Sequence, residues 1–387
     1  MAVIDSPNIP SARIQRLVRV QADQNSAVLG EWSWERLNWM ASNRVTGGLY
    51  RLRGTASVGG NHFAWSLVGK HILPSEETDS WTHYCCWRRE PELYRSGLLD
   101  RLPQPVRAPV CYGVEEEQDG TWWIWMEDVA NTEEESWTEE RYLETACLLG
   151  RFNGAYGSRQ PLPDEPSLCR GFLASWIREC DRFDNGSALE RSTWNHPRLK
   201  TIFPADMYER YANFRRFRPE LLHVLSLLPK VFTHNDAWKP NLFRGRSGEL
   251  IMIDWSNAGI AGVGEELGRF YGLSLNHGLG ALEDKEAFAS RLSEQYTLGL
   301  EQAGWKGDPR YPRIGFLASA GIRCGMMVPK LTNQLLVLDD EASVPQTLME
   351  RSHVAVHLLG LAEEAMRLAE ESELFRNGIV EDFRNRK

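Results

Sequence analysis

Apolar and polar positions alternate along Leu49-Tyr50-Arg51-Leu52-Arg53-Gly54-Thr55-Ala56, the period of a half-buried strand, and the run breaks at Gly54. Gly59-Gly60-Asn61 reads as a turn, and Phe63-Ala64-Trp65-Ser66-Leu67-Val68-Gly69-Lys70 as an apolar strand that closes on Lys70. Thr121-Trp122-Trp123-Ile124-Trp125-Met126-Glu127-Asp128-Val129 is strongly β-prone and ends in an acidic pair. Val231-Phe232 marks the end of a short strand, and Leu250-Ile251-Met252-Ile253 has the pattern of a buried one. Arg244-Gly245-Arg246-Ser247-Gly248-Glu249 is a turn-rich connector, so the two halves form a hairpin that brings Asn241 and Asp254 to the same end.

Helical spacing dominates elsewhere. Trp87, Tyr94 and Leu98 share one side of a helix with Glu90 on the adjoining face, and Pro91 requires that helix to begin close by. Ser136-Trp137-Thr138-Glu139-Glu140 has the form of a helix start, followed at helical spacing by Tyr142, Leu143, Ala146, Leu149 and Phe152 as far as Gly154. Further helices are predicted over 172–181, 206–228, 264–276, 285–303 and 350–373. The tryptophans Trp32, Trp34 and Trp39 suit packing of an amino-terminal helix onto the first strands.

With 387 residues the chain exceeds one comfortable core, which points to two lobes. The net charge of -9 disfavours nucleic acid or an anionic membrane surface as partner, and no apolar run is long enough to span a bilayer. Met1 to Pro10 lacks the basic head and apolar stretch of a secretory signal, and the seven scattered cysteines suit free thiols, so a cytoplasmic protein is expected.

The chemistry concentrates in Thr233-His234-Asn235-Asp236-Ala237-Trp238-Lys239-Pro240-Asn241-Leu242-Phe243 and in Ile251-Met252-Ile253-Asp254-Trp255. Moving a γ-phosphoryl group to a hydroxyl asks for a carboxylate to take the hydroxyl proton and for oxygen ligands to hold magnesium on the phosphates. Asp236 supplies the first, and Asn241 with Asp254 the second. Lys239 stands where it would offset charge on the transferring group, or else faces solvent. A Walker A string does not occur.

This stretch resembles the catalytic loop and metal-binding strand of the aminoglycoside phosphotransferase and choline kinase group, whose motif is matched by His234, Asp236, Asn241 and Asp254. Asn235 departs from it, since many members carry glycine there. The resemblance implies an α+β, two-lobed protein-kinase-like fold, with an antiparallel-sheet nucleotide lobe over residues 1–128 and a larger, mainly helical catalytic and acceptor lobe over 129–387. It further implies a glycine-bearing phosphate loop at Gly54 to Gly60 and Lys70 on the α and β phosphates. Lys70 would be held by Glu90, with Glu92 as competitor, and the adenine hinge would run from Met126 through Glu127 and Asp128 to Val129. His234 would hold the loop. The cofactors implied are ATP, with GTP as the other possibility, and Mg2+. The partner implied is a small-molecule hydroxyl acceptor, such as a sugar, amino alcohol or aminoglycoside-like antibiotic.

More than a hundred residues separate the hinge from the catalytic loop, and the chain passes from Asp254 to the helix at Glu265 with no Ala-Pro-Glu anchor, which favours a small acceptor over a protein. The helices between Asn131 and Lys230 and those after Leu273 are expected to wall the cleft, with Trp176, Tyr208, Tyr211 or Phe270 lining it. A nucleotide-binding pseudokinase and a metal-dependent phosphoester hydrolase are the rival readings.

Overall fold

A computed structural model of the chain describes residues 9–38, 45–129, 137–339 and 343–372. Trp39, Asn131 and Ser136, named above, lie outside the described residues.

Helix α1 (Ser11–Ala22) precedes strands β1 (Val28–Arg36), β2 (Thr46–Val58) and β3 (Asn61–Ile72). After helix α2 (Arg89–Arg95) come β4 (Val106–Arg107), β5 (Cys111–Glu116) and β6 (Trp122–Glu127). Five of these strands form one sheet in the order β1-β2-β3-β6-β5, and every neighbouring pair is antiparallel. The period of two along β6 explains its run of tryptophans. Trp123 and Trp125 join Ile14, Leu17 and Val18 of α1 in one cluster, while Trp122, Ile124 and Met126 join Leu93, Tyr94 and Leu98 in the main core. Trp32 and Trp34 pack at the margin of the α1 cluster.

The rest is helical, with short strands that carry the site. The order is α3 (Glu139–Ser158), β7 (Cys169–Arg170), α4 (Phe172–Arg182), α5 (Pro197–Ile202), α6 (Met207–Leu227), β8 (Lys230–Thr233), β9 (Leu242–Arg244), β10 (Leu250–Met252) and β11 (Gly259–Gly262). Helices α7 (Glu265–Asn276), α8 (Lys285–Gln302), α9 (Arg310–Gly325), α10 (Val328–Leu336) and α11 (Gln346–Glu371) follow. Two small sheets, β4-β10-β9 and β7-β11-β8, set the ends of the hairpin that runs from His234 to Asp254. Strand β4, from the first third of the chain, runs parallel to β10 and so ties the two parts together. No helix among the described residues is long and apolar enough to cross a membrane.

Glycines account for where the helix pattern misleads. Helix α3 does not stop at Gly154 but runs on to Ser158. Gly150 and Gly154 sit where α8 crosses it, and a Cβ on Gly150 would stand 2.1 Å from the Tyr296 carbonyl oxygen. Helices α9 and α10 had no clear signal in the sequence. In α9, Gly315 and Gly321 lie against the backbones of Val263 and Ala362 and Gly325 against the ring of Phe214, so residues of low helix propensity serve close packing.

Candidate active site

Lys70, near the end of β3, is 5% exposed, and its Nζ lies 2.5 Å from Glu90 Oε2 and 2.8 Å from Asp254 Oδ1. Glu90 occupies the first turn of α2 and is 1% exposed, and its Oε1 accepts the backbone N–H of Trp255 at 3.2 Å. Glu92 instead turns toward Arg95, 3.6 Å away at the surface. Burial opposes the charge on Lys70, but Asp254 and Glu90 together hold its ammonium above the usual lysine range. Two carboxylates share that one cation. Burial pushes Glu90 up, whereas Asp254 is held below its ordinary value because Lys70 outweighs its burial. Asp254 adopts the left-handed conformation (φ 62°), a costly geometry for a non-glycine residue that turns its carboxylate toward Lys70.

The loop that carries the His234 to Asn241 motif follows β8. His234 is buried and kept neutral by burial. Its Nε2 lies 2.9 Å from the Ile253 carbonyl and its Nδ1 accepts the backbone N–H of Asp236 at 3.2 Å, so Nε2 carries the proton and the ring couples the two halves of the hairpin. Asn235 has φ 62°, the region that glycine enters freely and asparagine tolerates, which explains the departure from glycine at this position. Its side chain donates to the Asn257 carbonyl at 3.1 Å.

Asp236 and Asn241 meet directly. Asn241 Nδ2 donates to Asp236 Oδ2 and to the Asp236 carbonyl, both at 3.0 Å, which leaves the Asn241 side-chain oxygen for another partner. Strands β9 and β10 pair Leu242 with Met252, and the Ile253 N–H donates to the Asn241 carbonyl, so Asn241 and Asp254 do emerge at one end of the hairpin. An amide oxygen beside a carboxylate is a donor set that suits a hard divalent cation.

Several residues of this region carried no recognisable signal in the sequence. Arg269 on α7 donates to Asp236 Oδ1 through Nε at 3.0 Å and Nη2 at 2.5 Å. Glu266, fully buried on the same helix, accepts the backbone N–H groups of His234 (2.7 Å) and Asn235 (3.1 Å) and the side-chain amide of Asn153 (2.9 Å). Burial pushes its carboxyl up to about 7 despite those donors. Arg89 is fully buried with no carboxylate, and its guanidinium donates to the carbonyls of Trp81, His83, Tyr84, Ser167 and Ser256. A pair of acids in an apolar helix start and an arginine beside Glu90 were the only hints available.

Other predicted positions fall differently. Gly54 lies in the middle of β2, paired with Trp65, whereas Lys70 pairs with Leu49. Five ladder positions put Gly54 about 17 Å from the lysine, and the Gly59-Gly60 turn is about 34 Å away at the far end of the hairpin. A Cβ on Gly54 would stand 2.4 Å from the Glu31 carbonyl oxygen, so this glycine serves the close approach of β1. The connection at the Lys70 end of the sheet is the one between β1 and β2, of which residues 39–44 lie outside the described residues. Met126 is buried at the end of β6, Glu127 accepts from Arg107 at 2.6 and 3.0 Å, Asp128 pairs with Arg51 at 2.9 Å, and Val129 is half-buried. Lys239 is exposed on the turn Lys239–Asn241. Tyr211 and Phe270 are fully buried in the core rather than lining a cleft, and Tyr208 lies under the Arg191 guanidinium. Two positions after Asp236, the Trp238 ring packs on His277 at 5.0 Å.

The chain is similar to proteins of known structure over most of its length. An amicoumacin kinase, solved with AMP-PNP, Ca2+ and amicoumacin, shares 13% identity at a TM-score of 0.50, covering 91% of this chain and 96% of its own. A microcompartment-associated aminopropanol kinase shares 12% identity at a TM-score of 0.52, covering 90% and 97%. At these identities the likeness establishes the protein-kinase-like fold. A search of proteins with curated function finds no match. The sequence profile described as the phosphotransferase enzyme family matches residues 88–305, more than half of the chain and all of the catalytic hairpin. The chain belongs to that phosphotransferase enzyme family.

Proposed function

We propose that this protein transfers the γ-phosphoryl group of ATP to a hydroxyl of a small organic molecule, with Mg2+. The observation that carries the reading is the convergence of buried Lys70 and Glu90 with half-buried Asp254 at the end of the hairpin that also holds Asn241 against Asp236. Lys70, fixed by Glu90, would hold the α and β phosphates, and the backbone from Met126 to Val129 would receive the nucleotide base. Asn241, through its remaining side-chain oxygen, and Asp254 would hold Mg2+. When bound, the ion neutralises charge on the phosphates. Asp236 orients the acceptor hydroxyl. As its oxygen bonds to the γ-phosphorus, the proton passes to Asp236 and the bond from the γ-phosphorus to the β–γ bridging oxygen breaks, releasing ADP.

The donor chemistry supports this reading over a metal-dependent hydrolase. Among the described residues no group of three or more His, Cys, Asp or Glu side chains forms a metal cluster, and His234 spends its ring nitrogens on the backbones of Asp236 and Ile253. The amicoumacin and aminopropanol kinases support a small acceptor. The test is ADP release by purified protein with ATP and Mg2+ across sugars, amino alcohols, hydroxy acids and aminoglycosides, with mass spectrometry of the product. Absence of a phosphorylated product across the set, together with no Mg2+-dependent nucleotide binding, would refute it.

A further inference from the structure

Both carboxylate oxygens of Asp236 are engaged. Oδ2, on the side of Asn241 and the metal-binding strand, accepts from Asn241, while Oδ1 is gripped by two nitrogens of Arg269. The Arg269 side chain is 21% exposed and keeps its Nη1 edge for another partner. Arg269 comes from α7, away from the nucleotide-side cluster at Lys70, so the flank it occupies is the one left for an acceptor.

Two arginines act on that flank, and the acid there besides Asp236, Glu350, lies near Gly280 and accepts from the Gln346 side-chain amide at 3.0 Å. His277 caps α7 and packs on Trp238 of the catalytic loop, and the charges acting on its ring are those of Arg351 and Arg269. Arg351, on the first turns of α11, is exposed and forms no ion pair among the described residues; exposed Lys239 likewise has no charged partner there. Glu179, which acts on Tyr84 alongside Arg269, is taken up by Arg182 at 2.9 Å. An ammonium brought to this flank would meet the Arg269 guanidinium beside Asp236, and an anionic group would meet its unspent Nη1 edge.

Building on the phosphotransferase reading, we infer that the acceptor is a hydroxyl compound carrying an anionic group, a carboxylate or its equivalent, which Arg269 and Arg351 bind and which draws Arg269 off Asp236 Oδ1 to free that oxygen for the hydroxyl. Arg269 is then a specificity residue. In its absence from the acceptor it keeps the carboxylate of Asp236 occupied, and a cationic amino alcohol or aminoglycoside has no means of releasing it.

Matched compounds on one carbon skeleton test this: glycerate, glycerol and 3-aminopropane-1,2-diol, and gluconate, glucose and glucosamine. Binding to the intact protein with AMP-PNP and Mg2+ is followed by ligand-observed NMR, and turnover by product mass spectrometry. The acid of at least one set should bind at least about tenfold more tightly than its amine, and Arg269→Gln should reduce that ratio at least about fivefold, with Arg269→Lys retaining more of it. Arg351→Gln, whose side chain is exposed, should lower the same ratio and guards against a misfolded Arg269 variant. An amine that binds or reacts better than its acid, equal binding of acid and amine in both sets, or an acid-to-amine ratio unmoved by both substitutions overturns the inference. Phosphorylation of an amine would leave the phosphotransferase reading intact, whereas loss of Mg2+-dependent nucleotide binding would remove that reading itself.

Discussion

Lys70 and Asp254 are 184 positions apart in the chain and 2.8 Å apart in space. That contact joins the five-stranded sheet to the catalytic hairpin, and Glu90 closes it by holding Lys70 with one oxygen and the Trp255 backbone with the other. Nucleotide handling is therefore expected to depend on Glu90 and not on Glu92. Glu90→Gln keeps an acceptor for Trp255 but loses the charge that fixes Lys70, and should raise the KM for ATP by about tenfold or more. Glu92→Gln should leave it within about twofold. Steady-state kinetics of both variants decide this, and equal effects would count against the assignment.

Asp236→Asn keeps the shape of the side chain and removes its basicity. Turnover should fall by about 2 to 4 orders of magnitude while the affinity for Mg2+-nucleotide stays nearly constant. Near-normal turnover would show that Asp236 is not the proton acceptor.

Glu266 predicts a pH dependence of stability. A glutamate in the unfolded chain titrates near its ordinary 4.5, whereas burial pushes Glu266 up to about 7 in the folded protein. Between those values the folded state holds more protons, so this group's contribution favours folding most below pH 4.5 and is lost as pH rises through 7. The loss amounts to about 3 kcal/mol at most. Urea unfolding between pH 5 and 8 should show the slope, and Glu266→Gln should flatten it. An unchanged slope in the variant would assign it to other groups.

Arg89 binds five carbonyl oxygens from three stretches of chain and no carboxylate. Arg89→Met fills much of the same volume but strands those acceptors, and should destabilise the protein by more than about 3 kcal/mol in urea unfolding. A cost under about 1 kcal/mol would mean that water replaces the guanidinium.

Much of this protein was legible in the sequence because its signals are local. Strand alternation around β2 and β3 reports burial on a two-residue period, and the unbroken apolar run of β6 reports a strand buried on both faces. The interval from His234 to Asn241 lies within one loop, and the hairpin that returns to Asp254 needs only a turn between short apolar runs. The choice of Glu90 over Glu92 already depends on which face of a helix seven residues long meets β3, a matter that spacing could favour but not settle. What only the tertiary structure decided involves partners remote in sequence. The strand Gly54 occupies turns its glycine toward β1 and away from the Lys70 cluster, because a turn motif does not say which end of a sheet it closes. Helix α9 is hidden by glycines that make room for the segments packed against it. Arg269 and Glu266 are ordinary residues on a helix until packing brings α7 beneath the catalytic loop, where one guanidinium grips Asp236 and one carboxylate holds the backbone before it. Periodicity records how each segment meets water, and contacts between segments leave no such record in either one alone.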